Sequence, residues 1–389
     1  MPPNKSITEW TAQVSEHFPK LSRPQARVLA LWSYGALALQ SCGQSQVACF
    51  LARLLKAKEG TLRQRLREWT WEKEAKAGPK RQEVVVATCF APLLSWILSG
   101  LSANEWRLAV ALDATSLKEN CVVLSLSVLY RGCAIPVAWQ VLPANTPGAW
   151  RPHWLALLAQ LRQQVPADWQ VVVLADRGLF ADWLFRAIQA LKWHPFLRIN
   201  TDGKCRVCGT SEFVPLLSLL PRAGRTWSGT VVCFKKTQLA ATLLIYHDAQ
   251  HEHPWLILTD LPPNSAPVAW YSLRAWIEAQ FKDIKSGGWQ WQRTRMTDPE
   301  RVSRLWLVMA LALLYSVSLG SQLEAEQPAS MLADLPPTHV ARRTATGRPM
   351  PRRLSLTTQG RLHFLVRLIC DQCLPAVHFH LPNLWPTHI

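Results

Sequence analysis

Residues 169–180 read WQVVVLADRGLF, and the fold turns on how that stretch is parsed. Val171 to Leu174 is an unbroken apolar run of strand type that stops at Asp176, with Arg177 and Gly178 beginning a turn. Upstream, residues 107–117 read RLAVALDATSL, a second strand-type run that ends at Asp113. Both runs place an Asp at the C-terminal end of a strand. In open α/β sheets ligands and catalytic groups gather at that edge, because its loops are held by a rigid scaffold yet stay open to solvent. Taken singly, each Asp is equally well read as a turn or helix-capping residue. Arg107 to Leu112, Val122 to Tyr130 and Ala134 to Leu142 follow one another with short connections, which predicts an antiparallel meander. A helix over Trp150 to Gln164 then leads into the strand that ends at Asp176.

A third carboxylate comes from residues 271–285, YSLRAWIEAQFKDIK. On a helix turning about 100° per residue, Tyr271, Arg274, Glu278 and Lys285 fall within an arc of roughly 60°. One carboxylate between two permanent cations and a phenol is poorly suited to an apolar core and well suited to a phosphate and a metal ion. A solvated face with ordinary pairing of Arg274 to Glu278 is the rival reading. With Asp113 and Asp176, Glu278 completes a set of three acidic oxygen donors, the ligand type that Mg²⁺ or Mn²⁺ requires.

The run Tyr271-x2-Arg274-x3-Glu278-x6-Lys285 resembles the Y-R-E-K signature of bacterial insertion-sequence transposases of the DDE type, in the family named for insertion sequence four. Asp113 in LDATSL resembles the first acidic residue of that family, and Asp176-Arg177-Gly178-Leu179-Phe180 its second motif. The resemblance covers roughly residues 100 to 320. It implies an RNase H-like core with two metal ions per site. Asp113, Asp176 and Glu278 would be both catalytic residues and metal ligands. It also implies double-stranded DNA as partner, both at the terminal inverted repeats and at the target. Hydrolysis of the phosphodiester would be followed by joining of the 3′-hydroxyl ends. Arg274, Lys285 and Tyr271 would hold phosphates beside the cut, Arg as a planar fork and Lys as a point charge. A homodimer on the paired ends is the expected assembly.

Composition agrees with a polyanionic partner. Lys plus Arg number 43 against 26 Asp plus Glu, a net charge of +17, which favours nucleic acid through counterion release. A length of 389 residues allows two or three domains. The opening MPPNKSITEWTAQ lacks the apolar stretch of a signal peptide, so a cytoplasmic, nucleoid-associated protein is expected. Val84 to Leu101 and Leu305 to Leu319 are read as buried helices and not as membrane spans. Cys205-x2-Cys208 and Cys370-x2-Cys373 have the spacing of zinc half-sites, but reduced structural thiols are the reading adopted and no zinc is assigned.

The expected organisation is α/β: an RNase H-like core interrupted by a β-rich insertion and preceded by a small all-α DNA-binding domain. Residues 1–80 form that domain, with helices over Arg23 to Gln40 and Gln44 to Lys56 and a third from Thr61 after Gly60. Thr61 and Gln64 read as a capping box, with Leu62, Leu66 and Trp69 as a buried stripe. Arg63, Arg65 and Arg67 point outward, so the last two helices resemble a helix-turn-helix in which Arg63 and Arg67 meet DNA. Trp71 to Gln82 is the linker. The core runs over 81–200, the insertion over 201–264 with strands at Thr230 to Lys235, Ala240 to Tyr246 and Trp255 to Leu261, and the catalytic helix over 265–320. Trp289, with Arg293 and Arg295 behind Trp291, is an aromatic and basic interleaving that can stack and neutralise an unpaired strand, with core packing of the two Trp as the favoured reading beside it. Residues 321–389 form a basic C-terminal region with its charge run at Arg342 to Arg353. Three readings stay beside the transposase: an RNase H-like nuclease or resolvase; a phosphate-monoester hydrolase with Asp113 as nucleophile, which would want a second Asp where Thr115 stands; and a DNA-binding repressor or domesticated copy without catalysis.

Overall fold

The structure, a computed structural model, describes residues 5–78, 81–148, 150–247, 253–326 and 354–387. The charge run at 342–353 lies outside them. Among the described residues the chain is mixed α/β, with a helical region leading into one large mixed sheet.

Four helices open the chain: α1 Lys5–His17, α2 Arg23–Leu39, α3 Gln44–Leu55 and α4 Glu59–Thr70. Ser22 caps α2 through a reciprocal box with Gln25, and Pro24 sits where its missing N–H costs nothing. Lys56, at φ 50°, ends α3 in the left-handed region, and α4 begins three residues later. The expected start at Thr61 is corrected, because α4 begins at Glu59 behind Lys58 and no side-chain cap forms. First-turn N–H groups have no intrahelical acceptor to lose, so Gly60 is tolerated there, and Glu59 complements the positive end of the helix. Leu62, Leu66 and Trp69 form the buried stripe as expected, while Arg63, Arg65 and Arg67 are exposed.

After α5 Ala87–Gly100 come β1 Arg107–Leu117, β2 Cys121–Tyr130 and β3 Cys133–Pro143, an antiparallel meander. Helix α6 Arg151–Leu161 leads to β4 Gln170–Ala175, and α7 Asp182–Ala190 to β5 His194–Arg198, with β4 and β5 parallel to β1. The segment beyond residue 200 adds β6 Lys204–Val207, β7 Val214–Pro215, β8 Arg225–Cys233, β9 Leu239–His247 and β10 Trp255–Thr259. These strands do not stand apart. They pair onto β5 through β10 and extend one ten-stranded sheet in the order β3-β2-β1-β4-β5-β10-β9-β8-β6-β7.

Strand alternation sorts this sheet into two faces. Leu108, Val110 and Leu112 of β1, with Val171, Val173 and Ala175 of β4, join the larger core under the helices. Ala109 and Ala111, with Val172 and Leu174, face a second core covered by residues 268–277. Helix α8 Trp276–Ile284 starts in that second core at Trp276 and Ile277 and ends in the first at Ile284, making most of its sheet contacts with β3. It thereby wraps the free edge of the sheet.

Helix α9 Pro299–Ala325 runs through the larger core, packed on β3, α2 and α4. It is long and apolar enough to span a bilayer, yet the whole of its apolar window is buried inside the protein. Arg304 on α9 is buried and bonds the carbonyls of Val84 and Thr70 and the carboxylate of Glu83, and Trp69 Nε1 donates to the Arg304 carbonyl at 3.1 Å. A buried cation with this many acceptors fixes register, because each bond lost strands a desolvated group. The last helix, α10 Leu356–Ile369, lies on α9 so closely that a Cβ on Gly360 would sit 1.7 Å from the Ser316 carbonyl oxygen. Beyond it, residues 374–385 return across the molecule, where the Tyr130 hydroxyl donates to the Leu381 carbonyl at 2.5 Å.

Candidate active site

The alternation that builds the two faces also aims the acids. Asp113 has the parity of Ala109 and Ala111, and Asp176 that of Val172 and Leu174, so both leave the sheet on the face covered by residues 268–277. Asp176 follows the last residue of β4, as expected. Asp113 does not end its strand. β1 continues to Leu117 because β2 pairs with it that far, while its parallel pairing with β4 stops at Ala111. The two acids therefore flank the point where the β1 and β4 ladders part. Asp176 Oδ1 accepts from the Gly178 N–H, and Asp113 Oδ1 from the Ala114 N–H, both at 2.8 Å, which leaves the Oδ2 atoms free to converge.

They converge on Arg274. Its Nη2 lies 2.7 Å from Asp113 Oδ2 and 3.6 Å from Asp176 Oδ2, and its Nη1 donates to Glu278 Oε1. One guanidinium joins all three carboxylates. Burial is the largest influence on both partners of the central pair. It raises the Asp113 carboxyl against the pull of Arg274, with Asp176 and Glu278 adding to the rise. Burial also opposes the charge on Arg274, but Asp113, Tyr271, Asp176 and Glu278 together outweigh it and raise that group.

The local backbone departs from the single helical stripe read from the sequence. Residues Val268–Ala275 are a 3-10 helix and only Trp276–Ile284 is α-helical. A 3-10 turn has three residues, so Tyr271 and Arg274 still share a face, and Arg274 reaches Glu278 across the junction. Tyr271, 5% exposed, packs edge-on against Trp255 and belongs to the second core. Burial pushes its phenol up to about 12, eased by Arg274 and Arg198, and its hydroxyl bonds Arg198. The expectation that Tyr271 stands free for a phosphate is corrected: it props the Arg274 segment against the sheet. Lys285 closes α8, half-buried, with burial lowering its pKa.

Trp289 is 1% exposed and Trp291 fully buried. A ring with no free face cannot stack on a base, so for Trp289 the core-packing reading holds and the stacking one is corrected. Its carbonyl instead accepts from the Cys42 N–H at 2.8 Å, tying the loop after α8 to the start of α3. Arg293 and Arg295 are exposed and line a cavity of about 630 Å³ between that loop, the α3 start and Arg301 of α9.

Among the described residues no three His, Cys, Asp or Glu side chains are gathered as a ready metal site. All ten cysteines are free, with Cys205 buried and Cys208 exposed. The triad nonetheless fits a divalent cation. Its donors are carboxylate oxygens only, three negative charges face one positive, and their convergence on a cation is already built.

Sequence reasoning missed Asp283, whose signal was only an acidic residue inside an apolar helix. Burial pushes its carboxyl up to about 6 from an ordinary 3.8, against the Thr357 hydroxyl, Arg361 and Lys282. Between those two pH values the native state binds more protons than the unfolded chain, so this group makes stability fall as pH rises from about 4 to 6. Asp283→Asn, which cannot ionise, is predicted to flatten that slope and to gain roughly 1–3 kcal/mol at pH 8. Urea unfolding at pH 4, 6 and 8 measures it; parallel curves for the two proteins would refute it.

A family model described as Transposase DDE domain matches residues 139–315. The match contains Asp176 and the whole Tyr271 to Lys285 signature and begins after Asp113. The chain thus carries a transposase DDE domain, and it is an enzyme of metal-dependent DNA cleavage and strand transfer. Among solved structures, a piggyBac transposase synaptic complex with hairpin DNA aligns at 11% identity, covering 88% of this chain and 85% of that one, with a TM-score of 0.37. No curated protein matches the chain.

Proposed function

We propose that this chain is the transposase of a bacterial insertion sequence, in the family named for insertion sequence four. It would cut DNA at the element's terminal inverted repeats and join the 3′-hydroxyl ends to target DNA. The observation that carries the reading is the meeting of Asp113, Asp176 and Glu278 at Arg274, inside an unbroken Y-x2-R-x3-E-x6-K run. Three antiparallel strands followed by two parallel ones, with acids where β1 and β4 part, support an RNase H-like core.

Asp113, Asp176 and Glu278 would hold Mg²⁺ or Mn²⁺, two ions in this reading, and the metal supplies Lewis acidity toward the scissile phosphodiester. The chain's own residues position the DNA. Arg274 offers a planar fork to a phosphate and Lys285 a compact charge one helical face further on. The exposed Arg293 and Arg295 contribute backbone neutralisation along the strand leaving the site. Helix α4 presents Arg63 and Arg67 to the terminal repeat, and a homodimer holds two ends together.

Lys285→Ala is predicted to lower the slope of log affinity against log salt by about one unit, the loss of one phosphate contact. Titrations over a range of salt read it; an unchanged slope removes Lys285 from the interface.

The deciding experiment supplies a plasmid carrying the DNA that flanks the gene, with Mg²⁺ and a target plasmid. A transposase yields excised ends joined to target through their 3′-hydroxyls. Cutting without joining would indicate a nuclease, and binding without cutting a repressor.

A further inference from the structure

We propose that Arg274 is the resident cation of the carboxylate site, holding Asp113, Asp176 and Glu278 while DNA is absent and leaving for a DNA phosphate before metal loads. The inference rests on the reading of those three residues as the metal ligands. Its consequence is that DNA and metal bind cooperatively, with Arg274 as the coupling element.

Three observations carry it. The guanidinium lies where a metal would have to lie: two of its nitrogens contact oxygens of all three acids, on a side chain only 13% exposed. A divalent ion reaching those oxygens meets a fixed positive charge within hydrogen-bond distance, least screened at the mostly shielded Asp113–Arg274 pair. Arg274 Nε is buried and has no acceptor, so the fork is incompletely satisfied among the carboxylates and keeps a donor for another anion. Arg274 is also next to last in the 3-10 helix Val268–Ala275, immediately before α8, and a 3-10 stretch joined to an α-helix is a place where a turn can rewind. A one-residue change of register there swings Arg274 relative to Glu278, which lies in the first turn of α8.

The arrangement has a chemical logic. Three bare carboxylates repel one another and would collect any divalent ion, arming the enzyme away from its substrate. With the guanidinium in place the acids are neutralised in part and kept convergent. A phosphate diester competes for the same fork with bidentate geometry, and once it takes the guanidinium the oxygens are released together. By linkage, whatever factor DNA adds to metal affinity metal must add to DNA affinity.

The test measures free Mn²⁺ by its electron paramagnetic resonance signal, using the full chain at pH 8, alone and with a short duplex cut from the DNA flanking the gene. The wild-type chain is expected to bind Mn²⁺ at least about tenfold more tightly with the duplex than without it. Arg274→Gln should bind Mn²⁺ tightly without DNA and gain nothing from the duplex. Arg274→Lys, which keeps the charge but cannot reach three carboxylates at once, should fall between. Should Arg274→Gln fail to fold, as judged by its thermal transition, the wild-type and Lys comparisons decide. Mn²⁺ affinity that is unchanged or weakened in Arg274→Gln, while Asp113→Asn weakens it in the wild-type chain, overturns the proposal and leaves the carboxylate site standing. Mn²⁺ binding indifferent to Asp113→Asn in every background would instead remove the metal assignment, and this proposal with it.

Discussion

Asp113→Ala, Asp176→Ala and Glu278→Ala are each expected to abolish strand cleavage while DNA binding survives. Among the described residues, the carboxylates paired with Arg274 are these three acids. Losing one oxygen ligand removes several kcal/mol of transition-state stabilisation, and about 4 kcal/mol is already a factor of roughly a thousand in rate. Binding should persist, because affinity for duplex DNA comes chiefly from phosphate contacts spread over a chain of net charge +17. Folding should persist as well: Glu278 is exposed, and Asp113 and Asp176 each give the backbone only one short local hydrogen bond. A cleavage assay beside a gel-shift titration on each variant makes the measurement. Wild-type cleavage in any one of the three would remove that residue from the site.

The second large effect is expected at α4. The double variant Arg63→Glu, Arg67→Glu should lose discrimination between the terminal repeat and random duplex. Its preference should fall by about a hundredfold or more, as each base-reading Arg is worth roughly 1–3 kcal/mol. The pair is suited to this test because both side chains are exposed on the face of α4 opposite Leu62 and Leu66, so charge reversal leaves the core alone. Competition binding against unrelated DNA reads the ratio. Discrimination equal to wild type would reassign α4 as a solvated helix. Deleting residues 1–80 outright is a poorer test, because Trp69 and α2 pack on α9 and their loss would open the core.

What the sequence made legible follows from the kind of physics involved. β1 to β4 and α6 were readable because their runs are long and apolar. The signature at 271–285 was readable because residue spacing survives the change from α to 3-10 geometry when the interval is three. The extent of β1 beyond Asp113 was not readable, since Thr115 and Ser116 are held in the strand by pairing with β2, which a single run does not reveal. The fate of Trp289 was legible only as the favoured of two readings: aromatics beside basic residues look alike whether they face a core or a nucleic acid, and only tertiary packing decides. The joining of β10 to β5 was hidden for the same reason, because pairing partners are a tertiary fact.

The bond from Trp69 to Arg304 spans 235 positions in the chain. During synthesis the first four helices leave the ribosome long before α9 exists, and the surface they will bury against it stays wet until more than 300 residues have been made. The region proposed to read DNA therefore cannot mature ahead of the region that cuts it. A message cut short, or a ribosome that stops early, would release an unfinished fragment with exposed Trp and Leu, which quality control can remove.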